Sequence, residues 1–152
     1  MEFVRSEKGD FMYSAENITN YILCYYNKRN IWISNLKLQK IFYFLQAQFM
    51  VYRNRPLIDE EIEAVDWGTV VWSVYHKYKI FGGASIPVIS TAKFPHYVAE
   101  ADKKLIDAVL DKVAYWSPTY MLQIIHNQHP WKMAYYNRSN ISNHELRSYF
   151  AE

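Results

Sequence analysis

Leu36-Lys37-Leu38-Gln39-Lys40-Ile41-Phe42-Tyr43-Phe44-Leu45-Gln46-Ala47 is the stretch that decides the fold. Leu38, Ile41, Phe42, Leu45, Phe49 and Tyr52 recur at steps of three and four, the spacing that lines one side of a helix. Phe44 and Met50 carry apolar surface further round the cylinder, so the segment predicts a central, buried helix from about Asn35 to Tyr52. Ser34 is placed as its N-cap, with a hydroxyl able to accept a free first-turn amide. Asn54-Arg55-Pro56 ends it, because the residue before proline avoids helical backbone. Lys37 and Lys40 fall on one face beside Tyr43 and opposite the Leu38 stripe, where they are expected to meet solvent or a partner.

Toward the N-terminus, Ile18, Tyr21, Ile22 and Tyr25 mark one face of a second helix, with Ser14 as its cap. Residues 1–12 mix charges with a glycine and read as a loose lead-in to a domain of residues 13–152. Toward the C-terminus, Ile62 to Trp67 alternates apolar and acidic residues, which predicts a short strand or hairpin around 60–67. Gly68 permits a turn, and Val70 to Phe81 is predicted helical, with Thr69 as its cap. Gly82-Gly83 stops that helix and opens a loop containing Pro87 and Pro95. Leu105, Ile106, Val109, Leu110, Val113 and Trp116 give the clearest helical stripe. Ser117-Pro118 starts the next helix, with serine as cap and proline in the first turn. Another opens at Pro130. The last carries a capping box, Ser142 to Glu145, flanked by Ile141 and Leu146 as a hydrophobic staple. The fold class that follows is all-α for the most part, a single-domain bundle of six or seven helices.

The chain has 152 residues, 51% of them apolar and 21% charged, which suits one globular domain with a sizeable core. Aromatic residues make up 18%, including 14 tyrosines, a surplus that fits core margins and binding surfaces. The formal net charge of +2 argues against nucleic acid, whose binding needs a concentrated basic face. Met1 to Glu7 lacks the apolar stretch of a signal peptide. No apolar run approaches the ~20 residues that cross a bilayer, so a cytoplasmic protein without a membrane partner is expected. The acceptor-like triplets at Asn17, Asn137 and Asn140 carry no weight in that compartment.

Catalytic chemistry is sparse. His126 and His129 have the spacing of a metal pair, but His76, His96 and His144 lie elsewhere, and Cys24 stands alone. No metal site and no cofactor are expected. Asp59, Glu60, Glu61, Glu63 and Asp66 form an acidic run that could hold a divalent cation for phosphodiester hydrolysis, yet no companion motif follows. A solvated strand edge that steers a basic partner fits it better. Cys24 has no base near it in sequence and reads as a buried, inert thiol. No nucleophile elbow or phosphate-cradling glycine loop occurs. Tyr75-His76-Lys77-Tyr78-Lys79 interleaves basic and aromatic residues, a pattern shared by base-stacking surfaces and protein interfaces.

Read together, Leu36–Ala47, Glu61-Ile62-Glu63-Ala64-Val65-Asp66-Trp67-Gly68-Thr69-Val70-Val71, His126 with Pro130-Trp131, and Glu145-Leu146 resemble the SocA-like family, also called the Panacea domain or GepA-type phage-associated proteins. The family pattern has Gly-Pro-Val where this chain has Gly68-Thr69-Val70. The resemblance implies an antitoxin that binds and neutralises a partner toxin, directly or as a proteolytic adaptor, and no enzyme. It implies a protein partner encoded nearby and leaves homo-oligomers and hetero-oligomers both open. Two other readings stand beside it: a phage- or mobile-element-encoded modulator of a host or defence protein, and a small metal-dependent nuclease built on the acidic run. Near the matched motifs, Lys37, Lys40, Trp67, Trp72, Tyr75, His76 and Lys77 combine charge with large aromatic anchors and are the expected partner-binding residues. His126 is expected in a packing and hydrogen-bonding corner with Trp131.

Overall fold

Leu38, Ile41, Leu45 and Phe49 are fully buried and Phe42 nearly so, as their spacing demands. The computed structural model describes residues 3–5, 11–87 and 97–151. In order its elements are β1 (Phe3–Arg5), β2 (Phe11–Tyr13), α1 (Ala15–Asn27), α2 (Asn35–Arg53), β3 (Glu63–Val65), β4 (Gly68–Val70), α3 (Trp72–Tyr78) with a 3-10 turn Lys79–Phe81, α4 (Glu100–Val113), α5 (Pro118–His126), α6 (His129–Tyr136) and α7 (Asn143–Phe150). Helices dominate, and the strands form two separate antiparallel pairs, β1–β2 and β3–β4. Pro95, His96 and most of the lead-in lie outside the described residues.

Helix α2 is enclosed by α4, α5, α7 and β4, so even Asn35, Lys37, Gln39, Lys40 and Gln46 are buried. Most of these are hydrogen-bonded to other elements; Lys40, with one long bond to its own helix, is the exception. Gln46 Oε1 accepts from the amides of Leu57 and Ile58 at 2.8 and 3.1 Å, closing the chain that follows the helix. Tyr43 donates to Gln128 Oε1 at 2.8 Å, and Phe44 meets Trp116 edge to face. Such pairing is what lets polar groups enter a core without a desolvation penalty.

Helices α1 and α4 are joined by tyrosines rather than by packing alone. Tyr21 donates to Asp107 at 2.6 Å, Tyr25 to Asp111 at 2.5 Å and Tyr26 to the Leu110 carbonyl at 2.7 Å. At one end of this ladder Tyr13 donates to Asp102 at 2.7 Å, and Arg53 and Arg55 approach the same carboxylate at 3.3 and 2.9 Å. Burial, then the neighbouring carboxylates, push these tyrosine hydroxyls up; Tyr25 reaches about 12.

Serine caps begin four helices. Ser14, Ser34, Ser117 and Ser142 accept from the amides of Asn17, Lys37, Tyr120 and Glu145. Ile141 and Leu146, the expected staple, are both buried. Three expectations need correction. The helix predicted from Val70 begins instead at Trp72, because Gly68–Val70 pairs with Glu63–Val65 as β4. Thr69 therefore caps nothing; its buried hydroxyl donates to the Gln39 carbonyl at 3.2 Å. Tyr52 closes the sequence stripe of α2 but is 65% exposed, since the helix end outruns the elements around it. Within residues 1–12, β1 pairs with β2, Phe3 opposite Tyr13 and Arg5 opposite Phe11.

Candidate aromatic interface

The β3–β4 hairpin is a small element fixed to a large one. Its register pairs Glu63 with Val70, Ala64 with Thr69 and Val65 with Gly68, leaving Asp66-Trp67 at the tip. Gly68 has φ +116°, a backbone that side chains resist, and a Cβ there would sit 3.1 Å from Lys40 Cε. Gln39 of α2 holds the strand that follows: its Oε1 accepts from the Val71 amide at 2.8 Å. Trp131 of α6 donates its indole N–H to the Gly68 carbonyl at 2.7 Å. Hairpin, α2 and α6 are thus tied by buried hydrogen bonds, and Trp67 is delivered to the surface at a fixed place.

Helix α3 brings three more rings to it. Trp67 and Tyr75 lie 5.1 Å apart between centroids, Trp72 meets Tyr75 edge to face at 5.6 Å, and His76 stacks on Trp72 at 5.5 Å. Trp72 is 41% exposed, and Trp67 and Tyr75 are half-buried. A cluster of large aromatics left partly in water is the composition of an interface anchor. Carboxylates frame it. Glu63 accepts from the Trp72 indole, Glu60 from the Ser73 hydroxyl and Asp66 from the Tyr135 hydroxyl. Lys77, on the far edge of α3, pairs with Glu16 at 3.0 Å.

The structure therefore gathers Trp67, Trp72, Tyr75 and His76, four of the seven expected contact residues, and sets Lys77 on the other side of α3 against Glu16. Lys37 and Lys40 are a correction. They are 6% and 2% exposed and cannot form a contact surface. Lys37 Nζ donates to the Ala114 carbonyl at 2.6 Å, at the end of α4, where a cation meets the negative pole of a helix. Among the described residues Lys40 Nζ reaches only its own helix, 3.3 Å from the Leu36 carbonyl, with its stem under Gly68. Burial pushes both amines down to about 8. They support the hairpin and α4 from below. The near-continuous apolarity of α2 was the signal for this, since such a helix has no wet face on which to place a lysine. Reading the lysines by charge alone overlooked it.

Behind the hairpin, His126 lies 4.1 Å from Trp131, which stacks on Tyr135 at 4.5 Å, so the packing of the predicted corner is present and supports the Asp66 side of the tip, but the hydrogen-bonding half of that expectation is corrected, since His126 Nε2 is buried without a hydrogen-bond partner among the described residues. His126 and His129 do not pair as ligands; His129 Nε2 instead faces Glu145 at 3.3 Å. The acidic run was legible as an edge that steers a basic partner, but Tyr135 and the seating of Glu60 and Glu63 against α3 were not, because these residues converge only once the hairpin folds back between α3 and α6. A second concavity, an apolar groove of about 400 Å³ lined by Phe44, Leu105, Val113, Trp116, Ile124 and Phe150, opens between α2, α4, α5 and α7. No described helix is long and apolar enough to cross a membrane.

Residues 38–132, more than half the chain, match the model described as antitoxin SocA-like, Panacea domain. No curated protein and no solved structure shows a significant match to the chain.

Proposed function

We propose, from the premise that this chain belongs to the SocA-like antitoxin family defined by the Panacea domain, that it neutralises a toxin protein by direct contact. The observation that carries the reading is the partly exposed ring cluster of Trp67, Trp72 and Tyr75, which lies inside the matched region and is set by buried hydrogen bonds to Gln39 and Trp131. A rigid aromatic surface spends little ordering entropy on docking. The proposed contact residues are Trp67, Trp72, Tyr75, His76 and Lys77. The role is binding in the cytoplasm, without catalysis of its own.

The test is co-expression with the product of the adjacent gene. Growth rescue is expected, with a complex recoverable from the purified pair. Trp72→Ala should weaken that complex by ~2 kcal/mol or more, as loss of a central anchor does. The free variant should melt close to the parent temperature, because Trp72 is 41% exposed. Unfolding of Trp72→Ala would place that ring in the core and remove this interface. If no neighbouring product is toxic and none binds, the reading as a modulator of a host or defence protein replaces it.

A further inference from the structure

We infer that the hairpin–α3 surface takes a positively charged, arginine-bearing segment of its protein partner; this rests on the reading of that surface as the docking face. The first observation is the charge of the frame. Asp59, Glu60, Glu61, Glu63 and Asp66 place five carboxylates within eight residues of a chain whose net charge is +2. Three are held by neutral donors, the Trp72 indole, the Ser73 hydroxyl and the Tyr135 hydroxyl. A neutral donor orients a carboxylate without cancelling its charge. Among the described residues, none of Glu60, Glu61, Glu63 and Asp66 has a lysine or arginine within ion-pair distance.

The second observation is the rings beside them. Trp67, Trp72 and Tyr75 stand at steep or tilted angles to one another, so they cannot cover each other fully. An aromatic face attracts a cation, most strongly when the cation is a guanidinium that can also lie flat on it. A carboxylate beside the ring adds a fixed acceptor for the same group, in a paired geometry that ammonium lacks. The hairpin side also has room. Glu63, Ala64, Val65, Tyr135 and Arg138 line a groove of about 480 Å³, and Arg138 across it forms no ion pair with Glu63. The nearby Lys77 is engaged by Glu16 on the other side of α3. Carboxylates beside the rings would repel phosphate, so a basic protein segment fits this surface and a nucleic acid does not.

The experiment needs no toxin. The full chain, labelled with ¹⁵N at tryptophan, is titrated with a capped Gly-Arg-Arg-Gly-Arg peptide, its lysine counterpart, a glutamate counterpart and an oligothymidylate. The indole signals of Trp67 and Trp72 should move most, with the arginine peptide binding at least about threefold tighter than the lysine one. Raising sodium chloride from 50 to 300 mM should weaken it about fivefold. The triple variant Glu60→Gln, Glu63→Gln, Asp66→Asn keeps the acceptor oxygens and should lose binding about fivefold at an unchanged melting temperature. Should that variant not fold, exposed Glu61→Lys replaces it and should weaken binding likewise. Equal binding by a folded neutralised variant, tighter binding of the glutamate peptide or the oligonucleotide, or largest shifts at Trp116 in the apolar groove would each overturn the inference. Arginine-peptide binding with no toxin partner leaves it standing while the antitoxin reading falls. A toxin captured with no response at Trp67 and Trp72 does the reverse.

Discussion

Lys40 is an amine in a core, with one long hydrogen bond and no counter-ion among the described residues. Burial pushes it and Lys37 from 10.5 down to about 8. Between those values the unfolded chain carries protons that the folded chain does not, so stability rises with pH across that window. Tyr13 and Tyr25 shift the other way, up to about 12, by burial first. Their contribution is intact below 10 and is lost as pH climbs toward 12. Urea titrations should therefore find stability rising from pH 8 to a maximum near pH 10 and falling beyond it. Lys40→Met should raise stability at pH 7 by ~1–3 kcal/mol and flatten the alkaline rise, since an apolar side chain of similar volume needs no hydration there. A loss of stability at pH 7 would mean that the Leu36 contact and the position under Gly68 outweigh desolvation. Phe42 represents the opposite kind of residue, apolar and 1% exposed at the centre of α2. Phe42→Ala should cost ~3–5 kcal/mol by denaturant titration, through lost transfer energy and a cavity. A loss under ~1 kcal/mol would contradict its burial.

Among the elements, the helices announced themselves and the hairpin did so only by half. Ser14, Ser34, Ser117 and Ser142 mark four helix starts in the sequence, and all four accept the first-turn hydrogen bond. Ile62 to Trp67 declared β3 by alternation. The returning strand was misread because Val70, Val71 and Val74 continue smoothly into the helical pattern of α3. What separates them is the bond from Val71 to Gln39, a long-range contact that local periodicity cannot report. The β-branched run Thr69-Val70-Val71 was the available hint. The candidate site followed the same division. Its rings were found by type and neighbourhood, whereas the burial of the two lysines depends on how many elements surround α2. Gly68 tests the hairpin as a unit. At φ +116° an added Cβ would lie 3.1 Å from Lys40 Cε and 3.2 Å from Leu122 Cδ1. Gly68→Ala should cost ~1–3 kcal/mol from backbone strain, with helix content by circular dichroism unchanged. An unchanged denaturation midpoint would show that the tip shifts freely and that Trp67 is not fixed.

For the molecule as a whole, Asp102 is the point where distant parts meet. Tyr13 of β2, Arg53 of α2 and Arg55 beyond it all reach its carboxylate from α4. Burial alone would raise this carboxyl; the bonds from Tyr13, Arg55 and Arg53 overcome that and hold it below its usual 3.8. Its contribution is therefore present above that value and is lost as pH falls below it. Asp102→Asn should cost ~3–5 kcal/mol at pH 7, because two guanidinium groups lose their anion. The variant should also show a shallower loss of stability on going below pH 3.8 in urea titrations. A cost under ~1 kcal/mol would assign the junction to solvent-screened pairing instead. The enclosure of α2 has one more consequence, for the time order of synthesis. Helix α2 ends at Arg53, and α7, its most extensive packing partner, starts at Asn143. At ribosomal speed that interval lasts roughly 5–20 s. For those seconds the nascent chain displays its longest helix without that lid, so a chaperone, or the toxin itself, can meet α2 before α7 does.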